Sequence, residues 1–176
     1  MRRYLRFFRA ANLVTAPGDA LVGAAAALAL TSLLMYMFGL ADNDIVGAPT
    51  DPKTRPVAAG EISLRAAKLA RGACLTLAAV AFALAGGCFP LLVALTALII
   101  VYNRTKNPLL MGLARGANVL LGGPAWLPAA IWTVYIAAVT KYSERETIDP
   151  KNDRRVQWLV RGLLVLQAAF LIYYIV

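Results

Sequence analysis

The chain of 176 residues is 60% hydrophobic and 15% charged, with a formal net charge of +9 and no histidine. A soluble domain would be about half apolar and about a quarter charged, so this composition predicts an all-α polytopic membrane protein with no separate soluble domain. The positive charge is assigned to cytoplasmic loops and not to nucleic-acid binding, and the lack of histidine excludes metal sites and general bases built on that residue.

Arginine alternates with aromatic and aliphatic side chains over the first ten residues, MRRYLRFFRA. This pattern predicts a basic amphipathic helix over residues 1–10 that lies on an anionic membrane surface and contacts membrane lipids. A plain positively charged anchor on the cytoplasmic side is an equally compatible interpretation.

Apolar runs follow in chain order, several of them separated by glycine and proline turns; they cover 11–41, 64–86, 88–102, 108–122, 124–140 and 157–176. Basic clusters lie at the N-terminus, in 53–71, at Arg104 and Lys106, and in 141–155. If all of these clusters are cytoplasmic, an even number of spans must separate each from the next. We therefore expect an integral protein of the bacterial inner membrane whose N-terminus and aspartate-rich loop, 42–60, face the cytoplasm.

The first apolar run breaks this rule, because residues 11–41 have the length of one tilted span. Broken or re-entrant helices that line a cavity would account for the mismatch. Residues absent from the sequence near 28–32 and 122–124 would account for it as well, and this is the explanation that we favour.

The segment LADNDIVGAPTDPKTRPVAAG, residues 40–60, concentrates carboxylates at the end of an apolar run. Pro49 and Pro52 disfavour a regular helix between Asp44 and Asp51, so a loop is expected to bring the two together. Carboxylate oxygens suit Mg²⁺, which combines one or two of them with substrate phosphates, and the basic residues that follow would bind the remaining phosphate charge. A solvated polar turn with a helix cap is the alternative.

These residues carry a resemblance to a known family. The stretch NDIVGAPTDPKTRPVAAGEIS resembles the first aspartate-rich motif of the UbiA superfamily of intramembrane prenyltransferases. Asn43, Asp44 and Asp51 occupy matching positions, and Arg55, Pro56 and Gly60 follow them. The stretch NLVTAPGDALVG, which contains Asn12 and Asp19, resembles the first helix of that family, and YNRTK resembles its Tyr-x-x-x-Lys element at Tyr102 and Lys106.

The resemblance implies a single domain over 1–176, a helical bundle around a central cavity, with about seven of the family's usual nine spans represented. It implies Mg²⁺-dependent transfer of a prenyl group from a prenyl diphosphate to a lipophilic acceptor. Asp44 and Asp51 would hold Mg²⁺, and Asn43 would orient or ligate through its amide oxygen. The residues that would bind substrates are Lys53, Arg55, Tyr102, Arg104, Lys106, Arg115, Asn118, Asn12 and Asp19.

The chain also departs from the family pattern. Gly47 stands where the motif has its middle aspartate, and the second aspartate motif, expected after Lys106, is absent. That region instead reads RGAN, as in a divergent branch of the superfamily, so Arg115 would replace the second metal as a fixed charge; its pairing with Asp19 or a helix end is the alternative. The departures support a second hypothesis, a non-catalytic UbiA-like subunit that binds an isoprenoid, pigment, lipid or partner within a membrane complex.

Overall fold

The computed structural model describes residues 28–146 and four positions of the C-terminal segment, 158, 162, 165 and 169. Within residues 28–146 the chain forms five α-helices and no strand: α1 (Ala29–Gly47), α2 (Leu64–Leu84), α3 (Phe89–Thr105), α4 (Pro108–Leu121) and α5 (Trp126–Glu146). The described part thus has the all-helical architecture that the sequence predicts, whereas the count of about seven spans is not confirmed. The surface helix predicted for 1–10 lies outside the described residues, as do Asn12 and Asp19.

Helix boundaries follow from local capping chemistry. Ser63 Oγ accepts a hydrogen bond from the Ala66 amide at 3.2 Å, and Asn107 Oδ1 accepts one from the Leu109 amide at 2.9 Å, so α2 and α4 begin directly after capping side chains. Helix α3 ends at Thr105 and is capped by Lys106, which adopts the left-handed conformation with a φ of 55°, a common way to close a last turn.

Helices α1, α2 and α3 share one apolar core. Met35 and Phe38 of α1 pack with Ala78 and Phe82 of α2 and with Leu95 of α3, all of them buried. Burial of side chains this large removes apolar surface from contact with polar solvent and fixes the relative positions of the three helices.

Helices α4 and α5 approach each other along a seam of small residues. A Cβ atom at Gly112 would lie 2.2 Å from the backbone oxygen of Thr133, and one at Gly116 would lie 2.8 Å from the backbone oxygen of Ala129. Because only glycine allows backbones this close, the Gly-x-x-x-Gly spacing sets the distance between the two helices. We call Gly112 and Gly116 the glycine seam. A second core that includes buried Trp132 forms beside it.

The end of α1 and the following loop differ from the sequence expectation in one boundary. The helix continues through the carboxylate cluster to Gly47, so within the segment 42–60 the irregular backbone begins at Ala48. Val57 and Ile62 of this loop are buried against Ala41 and Ala67, which anchors the loop across the ends of α1 and α2.

The backbone also passes through the two places where absent residues are predicted. Residues 29–32 lie inside α1, and 122–124 form a turn in which the Gly122 amide donates to Val119 O at 3.0 Å and the Gly123 amide donates to Leu120 O at 3.2 Å. The prediction of absent residues there stays a prediction.

Among the described residues, α2 is the helix that is long and apolar enough to cross a membrane, while α3 and α4 are shorter apolar helices. Only 22% of its apolar window is buried inside the protein, and large apolar side chains such as Leu69, Leu77 and Leu84 are exposed. An exposed apolar face of this extent is typical of a surface that contacts lipid.

Candidate functional site

A cavity of about 150 Å³ lies between α1, α3 and α4. Its wall is largely apolar, with residues such as Met35, Ile99 and Met111. Polar side chains enter it from all three helices; they are Ser32, Tyr36, Asn43, Tyr102, Asn103, Arg115 and Asn118. An apolar pocket with a few convergent polar groups is the usual form of a ligand site.

Three of the sequence-predicted residues meet at one end of this cavity, which we call the mouth. Asn43 and Tyr102 line the cavity, and the exposed Lys106 donates a hydrogen bond from its Nζ to Asn43 Oδ1. The Lys106 ammonium also lies 5.7 Å from the centre of the Tyr102 ring, within the range of a cation–π contact. The left-handed backbone at Lys106 places this side chain at the end of α3 and brings a positive charge to the mouth.

A second group of predicted residues lies beside the mouth, because Asp44 follows Asn43 directly. Arg55 Nη1 lies 2.6 Å from Asp51 Oδ2 and 3.4 Å from Asp44 Oδ1. One guanidinium nitrogen therefore joins the two carboxylates, and we call this triplet the arginine bridge. Asp44 is buried while Arg55 is one-third exposed, so the bridge extends from the helix end toward the surface.

Gly47 is part of the reason why Asp51 reaches this position. The Asp51 amide donates to Gly47 O at 2.7 Å, and the Asp51 carboxylate folds back over the glycine. A Cβ atom at position 47 would lie 2.1 Å from Asp51 Oδ2, which is impossible without movement. The glycine that stands in place of the motif's middle aspartate thus leaves room for the next carboxylate.

A further polar cluster was not predicted as a site from the sequence. Asp42 is fully buried; its Oδ1 accepts a hydrogen bond from Arg71 Nη1 at 2.9 Å, and its Oδ2 accepts one from Asn103 Nδ2 at 2.9 Å. We call these three residues the buried network. It joins α1, α2 and α3, and the partners of Asp42 are 29 and 61 positions away in sequence. A charged residue inside an apolar run at Arg71 is the signal that would have suggested it.

The other predicted site residues lie outside the mouth and the arginine bridge. Arg115 and Asn118 line the cavity from α4; the Arg115 guanidinium lies 5.8 Å from the centre of the Tyr36 ring, and Asn118 Nδ2 donates to Ser32 Oγ at 2.7 Å. Arg104 is exposed and donates to Ile100 O on its own helix at 2.8 Å, so the structure does not bring it to the cavity. Lys53 is exposed on the loop.

Comparison with known proteins gives one informative match. No family model matches the sequence, and no curated protein matches it. The chain is similar to a solved structure described as digeranylgeranylglyceryl phosphate synthase in membranes, a UbiA-superfamily intramembrane prenyltransferase. The TM-score is 0.67 at 17% sequence identity, and the match covers 96% of this chain and 75% of that chain.

The chain shares the fold of this solved intramembrane prenyltransferase. The resemblance that was based on short motifs is thereby confirmed at the level of the fold, and it extends over nearly the whole chain. Helix α2, long and apolar enough to cross a membrane, is the feature of the described residues that supports a membrane protein.

The carboxylate pair fits a single Mg²⁺ ion of the kind that shares its coordination with substrate phosphates. Asp44 Oδ1 and Asp51 Oδ2 already converge on one cationic nitrogen, and Mg²⁺ commonly takes one or two carboxylates from a protein. Residues 28–146 contain no group of three or more His, Cys, Asp or Glu side chains that would form an all-protein metal cage. Two carboxylates alone would leave most of the coordination sphere of such an ion to water or other ligands.

Proposed function

We propose that the chain is a divergent intramembrane prenyltransferase, which transfers a prenyl group from a prenyl diphosphate to a lipophilic acceptor. The observation that carries this proposal is the mouth: Lys106 and Arg55 supply positive charge where a polar carboxylate cluster adjoins a largely apolar cavity. A molecule with an anionic head and an apolar chain fits this juxtaposition.

The diphosphate would bind between Lys106 and Arg55, with charge-assisted hydrogen bonds from both side chains. The prenyl chain would extend into the cavity along Met35 and Ile99. As the bond between the prenyl carbon and the diphosphate oxygen breaks, its electron pair leaves with the diphosphate, and the acceptor supplies the pair for the new bond and loses a proton. The apolar wall would keep water from the developing allylic cation.

Mg²⁺ held by Asp44 and Asp51 would add Lewis-acid stabilisation of the leaving diphosphate. Asn43, next to Asp44 and bound to Lys106, would hold the lysine in place or ligate through its oxygen. Arg115 would provide a fixed positive charge on the opposite wall of the cavity. The roles of Tyr102 and Asn118 would be to shape the substrate site that they line.

Two further points support an isoprenoid substrate and a membrane location. The similar solved structure is named as a synthase of digeranylgeranylglyceryl phosphate in membranes, which is consistent with an isoprenoid donor. The positive-inside tendency of basic residues favours the bacterial inner membrane, with the N-terminus, the arginine bridge and the mouth on the cytoplasmic side.

The test is prenyl transfer by the full chain reconstituted in lipid nanodiscs. Radiolabelled prenyl diphosphates of increasing chain length would be added with Mg²⁺ and a bacterial lipid extract as the acceptor source, and labelled lipids separated by chromatography. We expect a labelled product, and we expect Asp44→Asn to lower its rate by at least about 100-fold, since a metal ligand is lost. The control is Glu61→Gln, an exposed carboxylate directly after the aspartate-rich loop. A wild-type chain that transfers none of the diphosphates would contradict the proposal.

The arginine bridge favours a second candidate function, a non-catalytic UbiA-like subunit that binds an isoprenoid, pigment, lipid or membrane partner. Arg55 already balances charge on Asp44 and Asp51, so the cluster is held together by the protein's own cation. This candidate predicts that prenyl lipids bind the cavity without turnover. It also predicts that Asp51→Ala leaves lipid binding unchanged, which equilibrium binding with a fluorescent prenyl alcohol would measure.

A further inference from the structure

The buried network holds the side chain of Asn103 in one orientation. Its Nδ2 donates to Gly39 O at 3.0 Å and to Asp42 Oδ2 at 2.9 Å. A carbonyl oxygen and a carboxylate oxygen paired with Arg71 are both acceptors, so a flipped amide would face them with its own oxygen. Because that arrangement would lose both hydrogen bonds, the network determines which atom of the amide faces which way.

The remaining polar atom of Asn103 is its oxygen. Both hydrogens of Nδ2 are committed to α1, and within residues 28–146 no group donates to Asn103 Oδ1. Asn103 is 3% exposed and lines the cavity. An acceptor on a cavity wall loses its hydration when an apolar ligand fills the cavity, so a ligand that donates a hydrogen bond at this point gains affinity over one that does not.

The other residues that line the cavity indicate which chemical group of a ligand could donate to Asn103 Oδ1. Arg115 brings a positive charge to the cavity, and the described lining residues include no carboxylate, so an ammonium group is disfavoured. The apolar wall of Leu95, Ile99 and Met111 requires an apolar body. A neutral hydroxyl on a lipophilic molecule satisfies both conditions.

We propose that Asn103 Oδ1 is the specificity-determining acceptor for a hydroxyl group of a lipophilic ligand, and that Asp42 and Arg71 are its positioning residues. The inference deepens the proposed function: if the chain is a prenyltransferase, the acceptor substrate carries a hydroxyl that is anchored at Asn103. The hydrogen bond itself requires neither Mg²⁺ nor a diphosphate, so it can be tested separately from transfer.

The experiment compares two probes of nearly equal size, 4-fluorophenol and 4-fluorotoluene, which suit a cavity in the range known to admit a benzene ring. Binding to the full chain in nanodiscs would be followed by ¹⁹F NMR and corrected with empty nanodiscs for partition into lipid. We expect the wild-type protein to bind the phenol about tenfold tighter than the toluene, the range of one net hydrogen bond. In Asn103→Leu the ratio should fall to about one.

The control is Thr96→Val, a half-buried residue on the same helix whose hydroxyl donates to Leu92 O at 2.8 Å and which does not line the cavity; its ratio should match that of the wild-type protein. Asp42→Asn should give an intermediate ratio, since an amide partner that can donate permits Asn103 to flip. If Asp42 only stabilised the fold, Asp42→Asn would not change the ratio of the two affinities.

A second measurement uses the wild-type protein alone and stands even if a variant fails to fold. The side-chain amide of Asn103, labelled with ¹⁵N, should shift on addition of 4-fluorophenol and not on addition of 4-fluorotoluene. Equal affinity of the two probes for the wild-type protein, or a preference that survives in Asn103→Leu, overturns the inference. Either result would leave the outcome of the transfer assay untouched, so failure of this inference and failure of the proposed function are distinguishable.

Discussion

The buried network and the arginine bridge use the same chemistry, an aspartate paired with an arginine, but they differ in exposure and in where the arginine comes from. Asp42 is 0% exposed and its arginine comes from α2; Asp51 is 19% exposed and its arginine comes four residues later on the loop. Asp42 and Asp44 are two positions apart, so they point about 200° apart around α1. Both are buried, but they face different cations: Asp42 contacts Arg71 of α2, whereas Asp44 lies beside Arg55 of the loop, which also contacts the more exposed Asp51.

This difference in exposure indicates which carboxylate has a structural role and which is available to bind a ligand. A charge pair removed from solvent must be matched completely, since either partner alone is costly. A pair near the surface contributes little to stability and exchanges partners easily. We therefore assign the buried network to holding three helices and Asn103 in place, and the arginine bridge to exchange with substrate or metal.

The largest expected effect is on stability and falls on the buried network. Asp42→Ala should lower the free energy of unfolding by about 3 kcal/mol, because Arg71 and Asn103 lose their partner inside the protein. Asp51→Ala should lower it by less than about 1 kcal/mol, because that pair is partly exposed. Reversible unfolding in mixed micelles, followed by circular dichroism, measures both. Similar losses for the two variants would break the distinction between the two regions.

The next effect isolates the geometry of the arginine bridge. In Gly47→Ala the new Cβ atom would occupy the place of Asp51 Oδ2, so the Asp51 carboxylate must rotate away from Asp44. We expect the affinity for Mn²⁺, used as a paramagnetic substitute for Mg²⁺, to fall by about tenfold in electron paramagnetic resonance titrations, the lower end of what misplaced ligand geometry costs.

The matched control for this change is Gly72→Ala in the middle of α2. A Cβ atom there meets nothing within 4 Å, so the affinity for Mn²⁺ should not change and the helix should become slightly more stable, by about 0.5–1 kcal/mol. Unaltered Mn²⁺ binding in Gly47→Ala would show that Asp51 does not contribute to the site.

The smallest of the three effects concerns the cation of the bridge. Arg55→Gln removes a positive charge that lies beside both carboxylates. Because the guanidinium must move aside to admit a metal ion, the affinity for Mn²⁺ without diphosphate should rise about fivefold, the equivalent of roughly 1 kcal/mol for a divalent ion and a unit charge about 8 Å apart in water. With inorganic diphosphate present, the higher Mn²⁺ affinity of Arg55→Gln should disappear, because the diphosphate then lacks the positive charge of Arg55. The same titration method measures both conditions, and an affinity that stays constant in the first would contradict the exchange described for the bridge.

Much of the helical framework was predictable from the sequence. The apolar runs at 64–86, 88–102, 108–122 and 124–140 correspond to α2, α3, α4 and α5 within a few residues, because glycine, proline and capping side chains mark their ends. The end of α1 was less predictable. Three consecutive polar residues, Asp42, Asn43 and Asp44, indicate a loop when they are considered alone, but α1 continues through them, and Asp42 is held by partners on two other helices.

The candidate site was predictable where it depends on local sequence. Asp44, Asp51 and Arg55 lie within twelve positions and meet in the structure as their motif suggests, although Arg55 contacts carboxylates in the structure rather than a phosphate. The partnership of Asp42 with Arg71 and Asn103 depends on how three helices cross, and no spacing within one segment encodes such a crossing. Gly47 was recognisable as a departure from the motif, but its close approach to Asp51 required coordinates.

The glycine seam has a consequence for how the cavity could be resized. Gly112 and Gly116 face α5, whereas Arg115 and Asn118 project from another side of α4 into the cavity. The position of the α4 wall of the cavity is therefore set by two glycines that contact α5 and do not line the cavity. Larger residues at these two positions would push α4 away from α5 and narrow the cavity, while every polar group that faces the ligand keeps its chemical identity. Such substitutions would change the size of the ligand that fits without changing the groups that recognise it.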